Sequence, residues 1–450
     1  MARFSNAMSP WIRYPEEMSI ENMHRSKPAG AFLAERYLDV RARSLELCRP
    51  LTPEDMTVQS MPDASPAKWH LAHITWFFER FLLQARRPGY RVFHEGFDHL
   101  FNSYYFTVGQ MYQRPRRGLL SRPTVAEVLD YRAHVDREMV ELCAEADQEQ
   151  NFLVTLGLNH EQQHQELILT DIKHMLAQNP LHPAYRDDAA GPGGDAGPLS
   201  WHAFPGGVAE IGAPGDAPGA DDRAECFAFD NETPRHRVWL EDFELASRPV
   251  TNDEYRAFID DGGYDRSELW LADGWSTVQS EGWRQPLYWQ DDLQHAFTLG
   301  GLKPIDSQAP VCHLSYYEAD AYARWAGLHW PGARLPSEAE WEVAAAGAPV
   351  EGHLADTGVL QPRGQSGEGL RQFFGDVWEW TASPYAPYPG FKPLAGSLGE
   401  YNGKFMCSQM VLRGGSCVTP ADHVRASYRN FFYPQQRWQF SGLRLARSAR

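Results

Sequence analysis

A chain of 450 residues is long for one hydrophobic core, so two domains are expected. Apolar residues make up 43% and aromatics 13%, a globular composition, while a net charge of −17 argues against a nucleic-acid or anionic-membrane partner. Six scattered cysteines with no CxxC pair read as free thiols in a reducing compartment, and with no signal-peptide core or bilayer-length apolar run the expected location is the cytoplasm.

Residues 1 to about 27 are polar and irregular. A first helix is predicted near 29–48, with Leu33, Tyr37, Val40 and Leu47 at bundle spacing. A second opens at Ser65-Pro66, with Ser65 as N-cap and Pro66 at the first helical position. It carries His73 on a face shared with Trp69, Trp76 and Phe77 and continues through Phe81 and Leu83; His70, three residues before His73, can compete with it. The connection from about 88 to 122 is long enough for a compact domain that a functional role is expected. It contains Phe101-Asn102-Ser103-Tyr104-Tyr105-Phe106 and Arg114-Pro115-Arg116-Arg117-Gly118. Thr124-Val125-Ala126-Glu127 is a capping box that starts a third helix with Val128, Val135, Met139 and Leu142 on one side. The fourth holds His160 and His164 and ends near Asn179-Pro180. Four amphipathic helices predict a bundle, in which metal sites are built from inward-facing side chains of different helices.

His160 and His164 lie four apart, so they stack on one helix face and form a ready chelate for a divalent metal. Read literally, His160-Glu161-Gln162-Gln163-His164 is the HExxH of zinc peptidases, with Glu161 as general base. The extended form of that motif needs Gly at 167 and His at 170, where this chain has Leu167 and Thr170. A bland alternative, two solvated histidines, is opposed by Leu153, Leu156, Leu167 and Ile168 around them, because buried imidazoles need partners. His73 is the better third ligand. Three imidazoles without a carboxylate leave coordination positions free for oxygen and substrate, which suits an open catalytic site.

Asp187 to Pro198 is a linker by composition. Beyond it come short β-like runs, many Gly and Pro and frequent Trp, with loop-like insertions near 213–222 and 347–369. The expectation is an α+β protein of two domains: a helical bundle carrying the metal ligands over 25–187, a linker over 188–198, and a loop-rich domain over 199–450 whose binding residues sit on loops.

Together, Trp69-His70-Leu71-Ala72-His73, the HxxxHxE at His160, His164 and Glu166, and the whole second half resemble the iron-dependent sulfoxide synthases of ergothioneine biosynthesis. The marks of the second half are Arg334-Leu335-Pro336-Ser337-Glu338-Ala339-Glu340-Trp341-Glu342, Gly375-Asp376-Val377-Trp378-Glu379-Trp380, Leu412-Arg413-Gly414-Gly415-Ser416 and Gly442-Leu443-Arg444-Leu445. The resemblance covers about residues 30 to 447. It implies a DinB-like four-helix bundle followed by a formylglycine-generating-enzyme fold related to C-type lectins. It also implies a reaction: Fe(II) and O2 join hercynine (Nα-trimethylhistidine) at its imidazole C2 to a thiol and oxidise the sulfur.

Carried over residue by residue, the resemblance makes His73, His160 and His164 the iron ligands and puts Gln163 near the hercynine imidazole. It puts Asn430, followed by Phe431 and Phe432, at the hercynine site. Tyr104 and Tyr105 match the tyrosine pair of one clade, where a tyrosine delivers a proton or hydrogen, and Asp63 and Arg114 match positions for the thiol substrate's amine and carboxylate. A quaternary ammonium has no donor, so aromatic faces such as Phe431, Phe432, Trp438 and the tyrosines are its expected recognition surface. Members that use γ-glutamylcysteine carry Asn-Trp-Asp where this chain has Asn430-Phe431-Phe432, and the missing carboxylate favours cysteine. The stretches Phe106 to Arg117 and Tyr433 to Gln436 also depart from the cysteine-using clade, which keeps open a selenoneine synthase that couples hercynine to a selenosugar through Gln110, Tyr112, Gln435 and Gln436. A formylglycine-generating oxidase would need a cysteine pair where Ser427 to Phe432 has none, and a noncatalytic lectin-like module would leave the three histidines idle.

Overall fold

The structure, a computed structural model, describes residues 29–189, 193–214 and 227–449. Residues 1–28, Cys226, part of the linker and most of the 213–222 insertion lie outside those residues. The described residues form two compact units: one of 29–178 with 227 and Gly396–Tyr401, the other of 179–189, 193–214, 228–395 and 402–449. The helical unit thus takes a short strap, Gly396–Tyr401, from deep within the second half of the sequence. No helix among the described residues is long and apolar enough to cross a membrane. Cys48, Cys143 and Cys407 are free thiols, the first two buried.

Four helices build the first unit: α1 (Ala29–Cys48), α2 (Ala67–Phe78), α3 (Val125–Ala144) and α4 (Gln148–Ala177). α1 packs on α3 and α4, and α2 packs on the same two. The Thr124 capping box forms, and α4 has one of its own from Asp147 and Gln150. The start of α2 differs from expectation. Pro66 occupies the N-cap position with no side-chain cap, while Ser65 gives its backbone N–H to Asp171 Oδ2 at 2.8 Å and accepts at Oγ from Arg117 at 2.9 Å. Tertiary partners, not capping, decide how that helix begins. At its other end α2 runs into a π-helical turn, Glu79–Leu83.

A buried polar frame ties the helices together. Glu161 on α4 accepts from Arg41 Nη1 (3.0 Å) and Ser44 Oγ (2.6 Å) of α1 and from Arg132 Nη2 (2.5 Å) of α3. Arg41 also reaches Asp136 Oδ1 at 2.7 Å and Thr75 Oγ1 at 2.9 Å. Two arginines outweigh the burial that would raise the Glu161 carboxyl, and hold it down at about 2. Gly157 lets α2 approach α4: a Cβ there would lie 2.5 Å from Cε1 of buried Phe78.

The second unit is built around two four-stranded sheets. Its strands are β1 (Trp201–Phe204), β2 (Phe243–Ala246), β3 (Ala333–Arg334), β4 (Trp378–Pro384), β5 (Met410–Arg413), β6 (Asn430–Phe432), β7 (Ser441–Gly442) and β8 (Ala446–Ser448). The first sheet runs β1-β2-β8-β3, all antiparallel; the second runs β6-β5-β4-β7, with only the β4–β7 pair parallel. Leu240, Phe243, Leu245, Trp341, Phe373 and Phe374 share one apolar core. The motifs singled out above form its ionic skeleton. Arg444 pairs with Glu379 at 2.8 Å, both fully buried, and Trp341 Nε1 donates to the same carboxylate at 2.7 Å. Arg413 bridges Glu338 (2.7 Å) and Glu342 (2.8 Å), and Arg429 Nε reaches Glu338 at 2.6 Å. Gly414 has φ +99°, and a Cβ there would meet Phe373 O at 2.3 Å, so the double glycine is a backbone requirement.

Candidate metal centre

His73 sits in an aromatic column. Trp69 stacks on its imidazole with centroids 4.7 Å apart and planes 12° off parallel, and Trp76 lies on it at 5.7 Å and 18°. The guanidinium of Arg117 covers Trp69, 3.3 Å from its ring centre. The two indoles also hold the short helix Phe97–Phe101, Trp69 Nε1 donating to Leu100 O (3.1 Å) and Trp76 Nε1 to Asp98 Oδ1 (2.7 Å). That helix presents Phe101 O to His73 Nδ1 at 2.6 Å. A carbonyl only accepts, so Nδ1 carries the proton and Nε2 keeps its lone pair. Nε2 is buried with no hydrogen-bond partner.

His160 and His164 follow one another by a turn of α4. Their centroids are 4.7 Å apart and stand 5.0 and 4.8 Å from that of His73. One nitrogen from each of the three lies within 4.8 Å of the others, and all three residues are buried. Both ring nitrogens of His160 are buried without a hydrogen-bond partner. Burial lowers all three imidazoles: His160 falls to about 3, while neighbouring imidazoles add to the lowering of His73 and His164. Neutral rings with bare, converging lone pairs are the form a metal needs, and orphaned buried nitrogens are costly unless something takes them up. The donor set, three imidazoles and no carboxylate, fits a first-row divalent cation such as Fe(II) with positions to spare. His70, the expected competitor, does not converge with them; its nitrogens face His164 and Asp171. Glu161 points into the arginine frame with both oxygens taken, which removes the base that the peptidase reading of HExxH requires.

The tyrosine pair divides. Tyr104 is half-buried, edge-on to His73 at 6.4 Å, whereas Tyr105 is fully buried against Trp76 (5.7 Å) and Phe81 (5.0 Å). Burial raises both phenols. A third tyrosine escaped the sequence reading. Tyr401, on the strap, lies 5.4 Å from the His160 ring and 6.1 Å from that of Tyr104, and its hydroxyl donates to Gln163 Oε1. The strap is held by Glu400, whose carboxylate accepts from the backbone N–H groups of Phe106 (3.0 Å) and Thr107 (2.9 Å). Gln163 and Tyr401 are 238 positions apart, so no local pattern announces the pair.

Of the remaining expected residues, Asp63 and Arg114 are exposed and adjacent: the Arg114 guanidinium donates to Asp63 O, and Gln59 Nε2 holds Arg114 O at 2.8 Å. In the second unit Asn430 pairs with Leu412 across β6–β5 and its Oδ1 accepts from Phe431 N at 2.9 Å. Phe431 stacks on Tyr385 at 4.1 Å and 9°, and Phe432 meets Trp438 edge-on at 5.8 Å; all three β6 residues are half-buried.

Two family models match the chain: the DinB superfamily over residues 36–168, and the sulfatase-modifying factor enzyme 1-like domain over residues 203–366 and 351–449. A protein of Mycolicibacterium thermoresistibile named hercynine oxygenase is 33% identical over 449 residues, which covers 93% of this chain and 95% of its own length. The hercynine oxygenase of Mycolicibacterium smegmatis is also 33% identical, over 92% of this chain and 98% of its own. The formylglycine-generating enzyme of Streptomyces coelicolor is 31% identical over 51% of this chain and 82% of its own.

Proposed function

Because the chain belongs to the hercynine oxygenase family, we propose that it is a nonheme Fe(II)- and O2-dependent oxygenase coupling hercynine to cysteine. In the balanced reaction the imidazole C2–H of hercynine, the S–H of cysteine and one O2 give a C–S bond, a sulfoxide and water. The observation that carries this reading is the convergence of three buried, neutral imidazoles from α2 and α4. Iron bound there supplies redox chemistry toward dioxygen and Lewis acidity toward a thiol.

The protein's own part is to hold, orient and donate. Trp69 and Trp76 clamp the plane of His73, and Phe101 O fixes which nitrogen it offers. Tyr104 presents its ring edge to His73, and a phenol is protonated at neutral pH, so its hydroxyl serves as a positioned proton donor. Tyr401 donates to Gln163 Oε1 and so fixes the orientation of that amide, which the family resemblance puts near the hercynine imidazole. Asn430 and the faces of Phe431 and Phe432 suit a trimethylammonium, which is recognised by aromatic faces and dipoles. Asp63 and Arg114 match in charge the amine and carboxylate of an amino-acid thiol.

The test offers purified protein Fe(II), O2 and hercynine with cysteine, γ-glutamylcysteine or a 1-seleno-sugar in parallel, and reads products by mass spectrometry. The expected product is the cysteine-derived sulfoxide, with O2 consumed. A selenium-containing product alone would make the chain a selenoneine synthase on the same iron site, and no product in any arm would overturn the proposal.

A further inference from the structure

The trio of histidines leaves a fourth imidazole and a carboxylate unexplained. His70 Nε2 lies 2.9 Å from Asp171 Oδ2, and His70 Nδ1 lies 2.8 Å from His164 Nδ1. All three side chains are buried. Asp171 Oδ2 is itself anchored by the backbone N–H of Ser65 at 2.8 Å, so the carboxylate joins the start of α2 to α4.

We infer that Asp171 and His70 form a relay that fixes the tautomer and orientation of His164, and that both act as positioning residues for the metal centre. A carboxylate oxygen only accepts, so the contact with Asp171 places a proton on His70 Nε2. A His70 ring that holds this one proton leaves its Nδ1 bare. The 2.8 Å separation between the two Nδ1 atoms requires one proton between them, and it belongs to His164. His164 therefore has Nδ1–H and offers Nε2 as its only lone pair. His73 reaches the same state by another route, through the Phe101 carbonyl. Metal-bound histidines ordinarily give their second N–H to a carboxylate or carbonyl, which sets the ring and raises its basicity. Here the carboxylate acts through an intervening imidazole. His160 has no such partner among the described residues, so the ring plane of its neighbour a turn away matters the more.

This inference rests on the reading that the three imidazoles hold a metal, and its test separates the two. In metal-free protein with 15N-labelled histidine, long-range 1H–15N correlations should show His164 protonated at Nδ1 and bare at Nε2. A His164 protonated at Nε2 overturns the relay. Next, Co(II) affinity is measured by competition with a chelator, alongside the d–d spectrum, in His70→Phe, Asp171→Ala, Asp171→Asn and His160→Ala. Loss of a supporting partner typically costs about 10–100-fold in metal affinity, and that range is expected for His70→Phe and Asp171→Ala. Asp171→Asn should recover most of it, because an amide oxygen still accepts from His70; a loss equal to that of Asp171→Ala overturns the acceptor role. Wild-type affinity in His160→Ala would sink the metal reading itself. Co(II) lost in His160→Ala but bound normally by His70→Phe and Asp171→Ala would sink the relay alone. Should His70→Phe fail to fold by circular dichroism, the Asp171 pair and the tautomer spectrum decide the matter.

Discussion

Adjacent tyrosines in one loop have been given different surroundings. Tyr104 has its ring edge against His73, while Tyr105 fills a hydrophobic slot beside Trp76 and Phe81. Removing a positioned acid commonly costs about 10²-fold or more in rate. Tyr104→Phe is therefore expected to slow the proposed oxygenase reaction by about 10²-fold in steady-state assays, with Tyr105→Phe within a few-fold of wild type. His73→Ala should lower the metal retained per chain after loading with Fe(II), measured by mass spectrometry, because it leaves only the α4 pair. Glu161→Gln gives a sharper separation. It leaves Arg41 and Arg132 buried and underpaired, which costs about 3–5 kcal/mol on denaturant unfolding, while activity per folded molecule survives. Abolished turnover in fully folded Glu161→Gln would revive the peptidase-type base. The histidines were legible in the sequence because spacing on a helix is local information. Which tyrosine faces them was not, because that depends on how the 97–106 backbone is pinned by two indoles and Asn102.

The helices tell a similar story at their own scale. The bundle and the Thr124 capping box follow from apolar spacing and local side-chain chemistry. Ser65 misled because its neighbours in space, Arg117 and Asp171, claim it before α2 can. The loop expected at 88–122 contains the short helix that orients His73, and an element of five residues is too brief to show a period. Gly157 reads in the sequence as a mere weakness in a helix, yet it sets the α2–α4 spacing on which the trio depends. Gly157→Ala should destabilise the protein by about 1–3 kcal/mol through overpacking against Phe78, despite alanine's better helix propensity. Equal or greater stability on thermal unfolding would show that the two helices separate freely.

Across the whole molecule, the motifs most visible in the second half turned out to be a scaffold of buried ion pairs. Their conspicuous spelling reflects exacting partners: Glu338 with Arg413 and Arg429, Glu379 with Arg444. Burial raises the Glu338 carboxyl, but the two arginines outweigh it and hold the group below its ordinary 4.5. A depressed carboxyl stabilises the fold above its unfolded value and loses that contribution as pH falls through the folded one. Stability, followed by fluorescence on unfolding, should thus fall as pH drops below about 4.5, and Glu338→Gln should flatten that acid limb while lowering stability at neutral pH. An unchanged acid limb in the variant would assign the loss to other carboxylates.

The strap Gly396–Tyr401 has a consequence for anyone recombining such proteins. A chimaera spliced at the 188–198 boundary looks like a clean exchange of one half for another. It is not, since the donor parent brings its own residue 401 against the recipient's His160 and Gln163, together with the carboxylate that fastens it to Thr107. Parents that differ at these few positions would yield hybrids with a mismatched histidine pocket even when both halves fold, and restoring six residues should be enough to mend them.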